Sequence, residues 1–66
     1  MTKEYYRDPY GCTASITRKP DGTAKLTVRT QSGSLIRNDS FASYQGAKIA
    51  LGKMSDGMMT IVKKEE

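Results

Sequence analysis

The residues best suited to chemistry in this sequence are five cations between residues 9 and 37. This stretch carries five Lys or Arg side chains against one acid, Asp21, and so holds the whole net charge of +4, because the residues on either side sum to zero. The five are Arg18, Lys19, Lys25, Arg29 and Arg37. Guanidinium groups bind phosphates and base edges through paired hydrogen bonds, and ammonium groups act on phosphates as point charges. The concentration of the net positive charge in one stretch favours an anionic partner. The alternative is ordinary surface charge that keeps the chain in solution.

The sequence lacks the residue sets on which most catalytic and metal sites depend. It has no His, which excludes Ser-His and Cys-His nucleophiles and His-ligated metals within one chain. One cysteine, Cys12, cannot form an internal disulfide or a thiolate metal cage. The glycines are spread through turns, and no phosphate-cradling loop precedes the predicted helix. We therefore predict a non-enzymatic binding module without a metal or cofactor.

Alternation with a period of two predicts three strands that would position the cations. Residues 10–18 alternate small apolar side chains with hydroxyls, and residues 23–30 alternate apolar side chains with cations and a threonine. Turn-forming sequences with Pro or Gly separate the strands. In a third strand, residues 35–40, we expect Ile36 to point into the core and Arg37 outward, which avoids burying an unpaired charge. Phe41 then requires a bulge, or the end of the strand, near Asn38-Asp39 in order to turn inward.

A helix and one more strand are predicted after the meander. Ser43 is a suitable N-cap, and an apolar stripe at helical spacing follows it. That stripe consists of Tyr44, Ala47, Ala50, Leu51 and Met54. The predicted fold is a single α+β domain over residues 1–66, with the order β-β-β-α-β. It has an N-terminal arm (1–9), a three-stranded antiparallel meander (10–41), a helix packed on one face (43–54) and a short fourth strand (57–63).

If the helix covers the apolar side of the meander, hydroxyls and cations remain on the other side. The predicted open side shows Thr13, Ser15, Thr17, Lys25, Thr27, Arg29 and Arg37. A twisted β-ribbon with such side chains can enter the major groove of DNA. The predicted nucleic-acid contacts are Arg18, Lys19, Lys25, Thr27, Arg29 and Arg37. Such residues are also typical of an antiparallel sheet that faces only solvent.

A second candidate surface is apolar and aromatic. The predicted protein-interface residues are Tyr5, Tyr6, Tyr10, Ile49 and Met58. Tyrosines beside an arginine can anchor a protein interface, although the N-terminal arm could instead fold over the edge of a thin core. A core this small also makes a homodimer a possible form of the protein.

The segment Phe41-Ala42-Ser43-Tyr44-Gln45-Gly46-Ala47, which follows the predicted meander, resembles the AP2-like arm-binding domains of phage and transposon integrases. The resemblance covers residues 11–54. It implies a three-stranded sheet in the DNA major groove with the helix packed behind it. The chain differs from that family in having no Trp on the first strand, in the glycines of the helix and in the strand after Gly57. Its layout is also similar to small phage-borne proteins that inhibit host defence, such as anti-CRISPR proteins.

These observations predict a small basic binding module of phage or mobile-element origin. We expect it to contact nucleic acid, duplex DNA in the first place, through the open side of the sheet. The alternative is a phage protein-interaction module that inhibits a host defence complex. The polar N-terminus, the single cysteine and the lack of a long apolar run predict a cytoplasmic protein without a membrane partner.

Overall fold

In the computed structural model, which describes residues 2–65, alternating side chains build a five-stranded antiparallel sheet with a helix on one face. The elements are β1 (Thr2–Arg7), β2 (Thr13–Arg18), β3 (Ala24–Arg29), β4 (Leu35–Phe41), α1 (Tyr44–Ser55) and β5 (Thr60–Glu65). The strand order across the sheet is β4-β3-β2-β1-β5. After α1 the chain therefore returns to the far edge of the sheet and pairs with the first strand.

The predicted β-β-β-α-β order, with a three-stranded meander and a short fourth strand, is wrong. Thr2–Arg7 of the segment assigned to an N-terminal arm form β1, which lies between β2 and β5. Only two residues of β1 are buried, Glu4 and Tyr6, and one of them is a carboxylate, so the segment lacks the apolar alternation that identifies a strand. Met1 of the predicted arm and Glu66 of the charged tail lie outside the described residues.

The core lies between the sheet and α1. Ile16, Leu26 and Val28 are fully buried, and Ala47 and Leu51 of α1 pack against them. Burying side chains of this size contributes roughly 1.5–3 kcal/mol each. The prediction of Ser43 as the N-cap is confirmed, because its Oγ accepts a hydrogen bond from the Gly46 amide at 3.2 Å. The backbone of α1 lies closest to β2, β3 and β4, so the helix covers that part of the sheet, and the Tyr44 side chain reaches β1.

The third predicted strand, now β4, has the opposite orientation from the one expected. Arg37 pairs with Val28 and Leu35 pairs with Arg29, which leaves Ile36 as an extra residue in a bulge. Residues opposite each other in an antiparallel pair share a face, so Arg37 lies on the helix side and Ile36 is 55% exposed. The expected inward Ile36 and outward Arg37 are both wrong.

The physical reason for this orientation lies further along β4. The same register places Phe41 opposite Ala24, where its ring packs against the core. Arg37 is not left unpaired, because its guanidinium forms an ion pair with Asp39 and approaches the Met54 sulfur at 3.8 Å. Burying Phe41 and pairing the charge together offset the exposure of Ile36.

Candidate nucleic-acid interface

The face of the sheet opposite α1, called the open face below, is built from three rows of side chains that run across the strands. The strand registers define them. The first row is Glu65, Lys3, Thr17, Lys25 and Ser40; the second is Lys63, Tyr5, Ser15, Thr27 and Asn38; the third is Thr60, Arg7, Thr13, Arg29 and Leu35. Each row crosses all five strands, so residues from both ends of the sequence meet on one surface.

Positive charge dominates the open face. Its rows contain the five cations Lys3, Arg7, Lys25, Arg29 and Lys63. Glu65 is the single carboxylate in the same rows. It accepts a hydrogen bond from the Tyr5 hydroxyl at 2.7 Å and lies 3.7 Å from the Lys63 ammonium. The Tyr5 hydrogen bond, followed by the charge of Lys63, lowers the pKa of the Glu65 carboxyl from its ordinary value. The one acid among the described residues of this face is therefore already engaged by neighbouring groups.

The cations on β1 and β3 border a channel whose floor is β2, called the open-face channel below. Lys3 and Arg7 lie on one side of it, and Lys25 and Arg29 on the other. Thr13, Ser15 and Thr17 form the floor. A shallow depression of about 250 Å³ lies in this channel and is lined by Lys3, Tyr5, Arg7, Thr13, Ser15, Thr27, Arg29 and Val62, among others. Hydroxyl groups in the floor can donate and accept hydrogen bonds, while the four cations of the borders can only donate.

Tyr5 is the aromatic side chain of the open face. It occupies the middle row, between Ser15 of β2 and Lys63 of β5. Its ring centroid lies 5.3 Å from the Lys3 ammonium and 5.9 Å from the Lys63 ammonium. Hydrogen bonding to Glu65 raises the pKa of the Tyr5 hydroxyl above its ordinary value. The open face therefore offers an aromatic ring directly beside two cations.

The residues predicted to contact nucleic acid are only partly brought together. Lys25, Thr27 and Arg29 lie on the open face. Lys19 lies in the turn between β2 and β3, at the end of the sheet. Arg18 is opposite Ala24 and therefore lies on the helix side, where its guanidinium stacks 4.5 Å from the centroid of the Tyr44 ring. Arg37 shares the helix side, as described above.

Sequence reasoning missed Lys3, Arg7 and Lys63. All three belong to β1 or β5, and their segments were interpreted as an arm and as a short strand with a charged tail. The net charges of residues 1–8 and 38–66 are both zero, so charge counting along the chain could not find them. The adjacent Tyr5 and Tyr6, a residue type enriched in strands, were the local indication of a strand.

The residues predicted to form a protein interface are dispersed. Tyr6 is buried in the core, and Tyr5 belongs to the open face. Tyr10 lies in the turn after β1 and is 70% exposed. Ile49 is exposed on α1, and Met58 is exposed in the connection between α1 and β5. The sheet and the helix separate these side chains into several small surfaces.

A buried carboxylate on the helix side links β1 to α1. Glu4 Oε1 accepts hydrogen bonds from the hydroxyls of Tyr6, at 2.8 Å, and Tyr44. Burial alone would raise the pKa of Glu4, but the hydrogen bonds from Tyr44 and Tyr6 and the charges of Lys48 and Lys64 outweigh burial and lower it. Burial and the same contacts raise the pKa of Tyr6 far above its ordinary value. This cluster is a buried carboxylate that accepts hydrogen bonds from two tyrosine hydroxyls, one on β1 and one on α1.

Away from the open face, residues 2–65 hold one thiol and one helix whose properties bear on function. Cys12 is a half-buried free thiol. No group of three or more acidic or cysteine side chains within the described range could hold a metal ion. The helix of this part of the chain is twelve residues long, and it does not meet the length and apolarity needed to cross a membrane.

Comparison of the chain with protein-family models, with curated proteins and with solved structures found no match. The resemblance to integrase arm-binding domains therefore stays a prediction.

Proposed function

We propose that this protein is a non-enzymatic module that binds nucleic acid, DNA in the first place, through the open face of its sheet. The observation that carries the proposal is the collection of five cations from β1, β3 and β5 on one face, against a single engaged carboxylate. Cations that neutralise phosphates release condensed counterions, which supplies most of the affinity of non-specific nucleic-acid binding.

The shape of the open-face channel supports the same proposal. Strands two apart in a sheet are separated by about 10 Å, so the cations of β1 and those of β3 form two lines on either side of the hydroxyls of β2. Phosphates can contact either line while the polar floor meets sugars or base edges. Arg7 and Arg29, at the same end of the channel, supply planar guanidinium groups that suit bidentate contacts to phosphate oxygens.

A second candidate function, binding to a host protein as an inhibitor, is favoured by apolar side chains on the two edge strands. Leu35 and Ile36 of β4 and Ile61 and Val62 of β5 are each at least half exposed. Exposed apolar edge strands pair readily with another chain. The charge of the open face favours nucleic acid as the first candidate, because an edge interface does not require five cations on the sheet face.

The decisive experiment measures fluorescence anisotropy of a labelled DNA oligonucleotide as the protein is added, at salt concentrations from about 50 to 200 mM. The matched variants are Lys25→Gln on the open face and Lys53→Gln on the exposed last turn of α1; each removes one positive charge. We expect Lys25→Gln to weaken binding and to reduce the slope of log affinity against log salt by about one, and Lys53→Gln to leave both nearly unchanged.

Two results would contradict the proposal. Undetectable binding at the lowest salt concentration would show that the cations serve only solubility. Equal losses for Lys25→Gln and Lys53→Gln would show that affinity follows net charge rather than the open face.

A further inference from the structure

We infer, on the basis of the proposed function, that the nucleic acid held by the open face is single-stranded, with bases packed on Tyr5 and phosphates along the cations that border the channel. Two features carry this inference: the width of the five-stranded sheet and the position of Tyr5. Both depend on β1, which the sequence pattern did not identify as a strand.

The width of the sheet disfavours a duplex. Neighbouring strands lie about 4.8 Å apart, so a five-stranded sheet measures roughly 19 Å between its edge strands. The major groove of B-DNA is about 12 Å wide, which admits a two-stranded ribbon or a helix. The three-stranded meander expected from the sequence would be only about 10 Å wide, but β1 and β5 widen the face beyond the groove. Against a rigid duplex, this face could meet only the outer phosphates.

Tyr5 lies where an unpaired base could reach it. It is in the middle row of the open face, on a strand that forms one border of the channel, and its ring lines the depression described above. An aromatic ring stacks on any base, but only when that base is not already stacked within a duplex. Lys3 and Lys63, within 6 Å of the ring centroid, can hold the phosphates that flank a base on Tyr5.

The channel floor adds contacts that suit exposed base edges. Thr13, Ser15 and Thr17 present short hydroxyl side chains, and Thr27 of β3 and Asn38 of β4 continue the middle row beyond β2. These groups both donate and accept hydrogen bonds, so they can contact the edges of any base without selecting one. The expected ligand class is therefore a single strand with little sequence preference, a description that fits both DNA and RNA.

The test compares four labelled probes at one salt concentration: single-stranded dT20, dA20 and U20, and a 20-base-pair DNA duplex. Binding to each is measured by anisotropy for the wild type, Tyr5→Leu and Tyr5→Phe. The Phe variant keeps the ring and removes the hydroxyl that contacts Glu65, so it separates stacking from that hydrogen bond. Circular dichroism melts establish that every variant is folded under the binding conditions.

We expect the single strands to bind more tightly than the duplex. Tyr5→Leu should weaken single-strand binding by about tenfold, as for the loss of one base–aromatic stack, and duplex binding by less than twofold. Tyr5→Phe should stay within about twofold of the wild type on every probe. The relative affinities of dT20 and U20 distinguish DNA from RNA as the source of the strand.

The outcomes separate the two proposals. Duplex binding as tight as single-strand binding, with sensitivity to Lys25→Gln retained, would overturn the single-strand inference and leave nucleic-acid binding in place. An unchanged single-strand affinity in a folded Tyr5→Leu variant would also overturn it. No binding to any probe at low salt would overturn both proposals together.

Discussion

The hydroxyl of Tyr44, in the first turn of α1, donates a hydrogen bond to Oε1 of Glu4, which lies in β1, forty residues earlier in the sequence. Glu4 is nearly fully buried, and Tyr6 donates to the same oxygen. This contact ties the helix to β1, the strand that carries Lys3, Tyr5 and Arg7 on its other face. The stability of the fold and the composition of the open face are therefore connected through one strand.

Removing the Tyr44 hydroxyl should destabilise the protein more than removing a comparable hydroxyl on the surface. We expect Tyr44→Phe to lower the free energy of unfolding by about 1–3 kcal/mol, because it removes one hydrogen bond to a buried, charged acceptor. Tyr5→Phe removes a hydrogen bond to the exposed Glu65 carboxylate and should change stability by less than about 0.5 kcal/mol. Urea denaturation of both variants provides the comparison. Equal losses of unfolding free energy in the two variants would show that the hydrogen bond to buried Glu4 contributes no more to stability than the one to exposed Glu65.

Acid should destabilise the wild type partly through Glu4. The folded pKa of Glu4 is lowered from 4.5, so the unfolded chain binds more protons than the folded chain in acid. Its contribution is complete above about pH 4.5 and is lost as the pH falls through the folded pKa. Free energies of unfolding at pH 7 and pH 3 should therefore differ less in Glu4→Gln than in the wild type. The same pH dependence in both proteins would assign acid sensitivity to other carboxyls.

Deleting the N-terminal segment should abolish folding rather than trim an arm. A chain that begins at Pro9 lacks β1, so β2 and β5 lose their common partner and the Glu4 cluster disappears. We expect this truncated protein to lack the β-sheet signal in far-ultraviolet circular dichroism and to show poor dispersion in proton NMR spectra. A folded truncated protein would support a detachable arm.

Replacing Ile36 tests the register of β4, with the buried Ile16 of β2 as the comparison. Ile16 is fully buried, and Ile16→Ala should cost about 2–5 kcal/mol, enough to unfold much of a domain this small. Ile36 lies in the bulge and is more than half exposed, so Ile36→Ala should cost less than about 0.5 kcal/mol. Thermal melts measure both. A large loss in Ile36→Ala would instead favour an inward Ile36.

Local patterns in the sequence were sufficient to predict β2, β3 and the start of α1, where apolar alternation and a capping residue mark the elements. Alternation in β2 and β3 placed Ile16, Leu26 and Val28 in the core, and Ser43 fixed the start of α1. In those elements one face is apolar and the other polar, so local pattern and tertiary burial give the same answer.

β1 and β4 could not be predicted in the same way, for two physical reasons. One of the two buried positions of β1 is the carboxylate Glu4, and part of what compensates its burial is Tyr44, forty residues away. In β4 a single bulged residue reverses the face of everything after it, and nothing local to Ile36 reveals the bulge. The three missed cations of the open face follow directly from the missed strand and from its pairing with β5.

The most direct test of the central claim is an NMR titration of isotopically labelled protein with a single-stranded oligonucleotide at low salt. We predict that chemical-shift changes cluster on β1, β2 and β3 and include the side-chain signals of Arg7 and Arg29, while signals of Ile49 and Lys53 on α1 move little. Changes centred on α1 or on the edge residues Leu35 and Ile36, or no changes at saturating oligonucleotide, would contradict nucleic-acid binding by the open face.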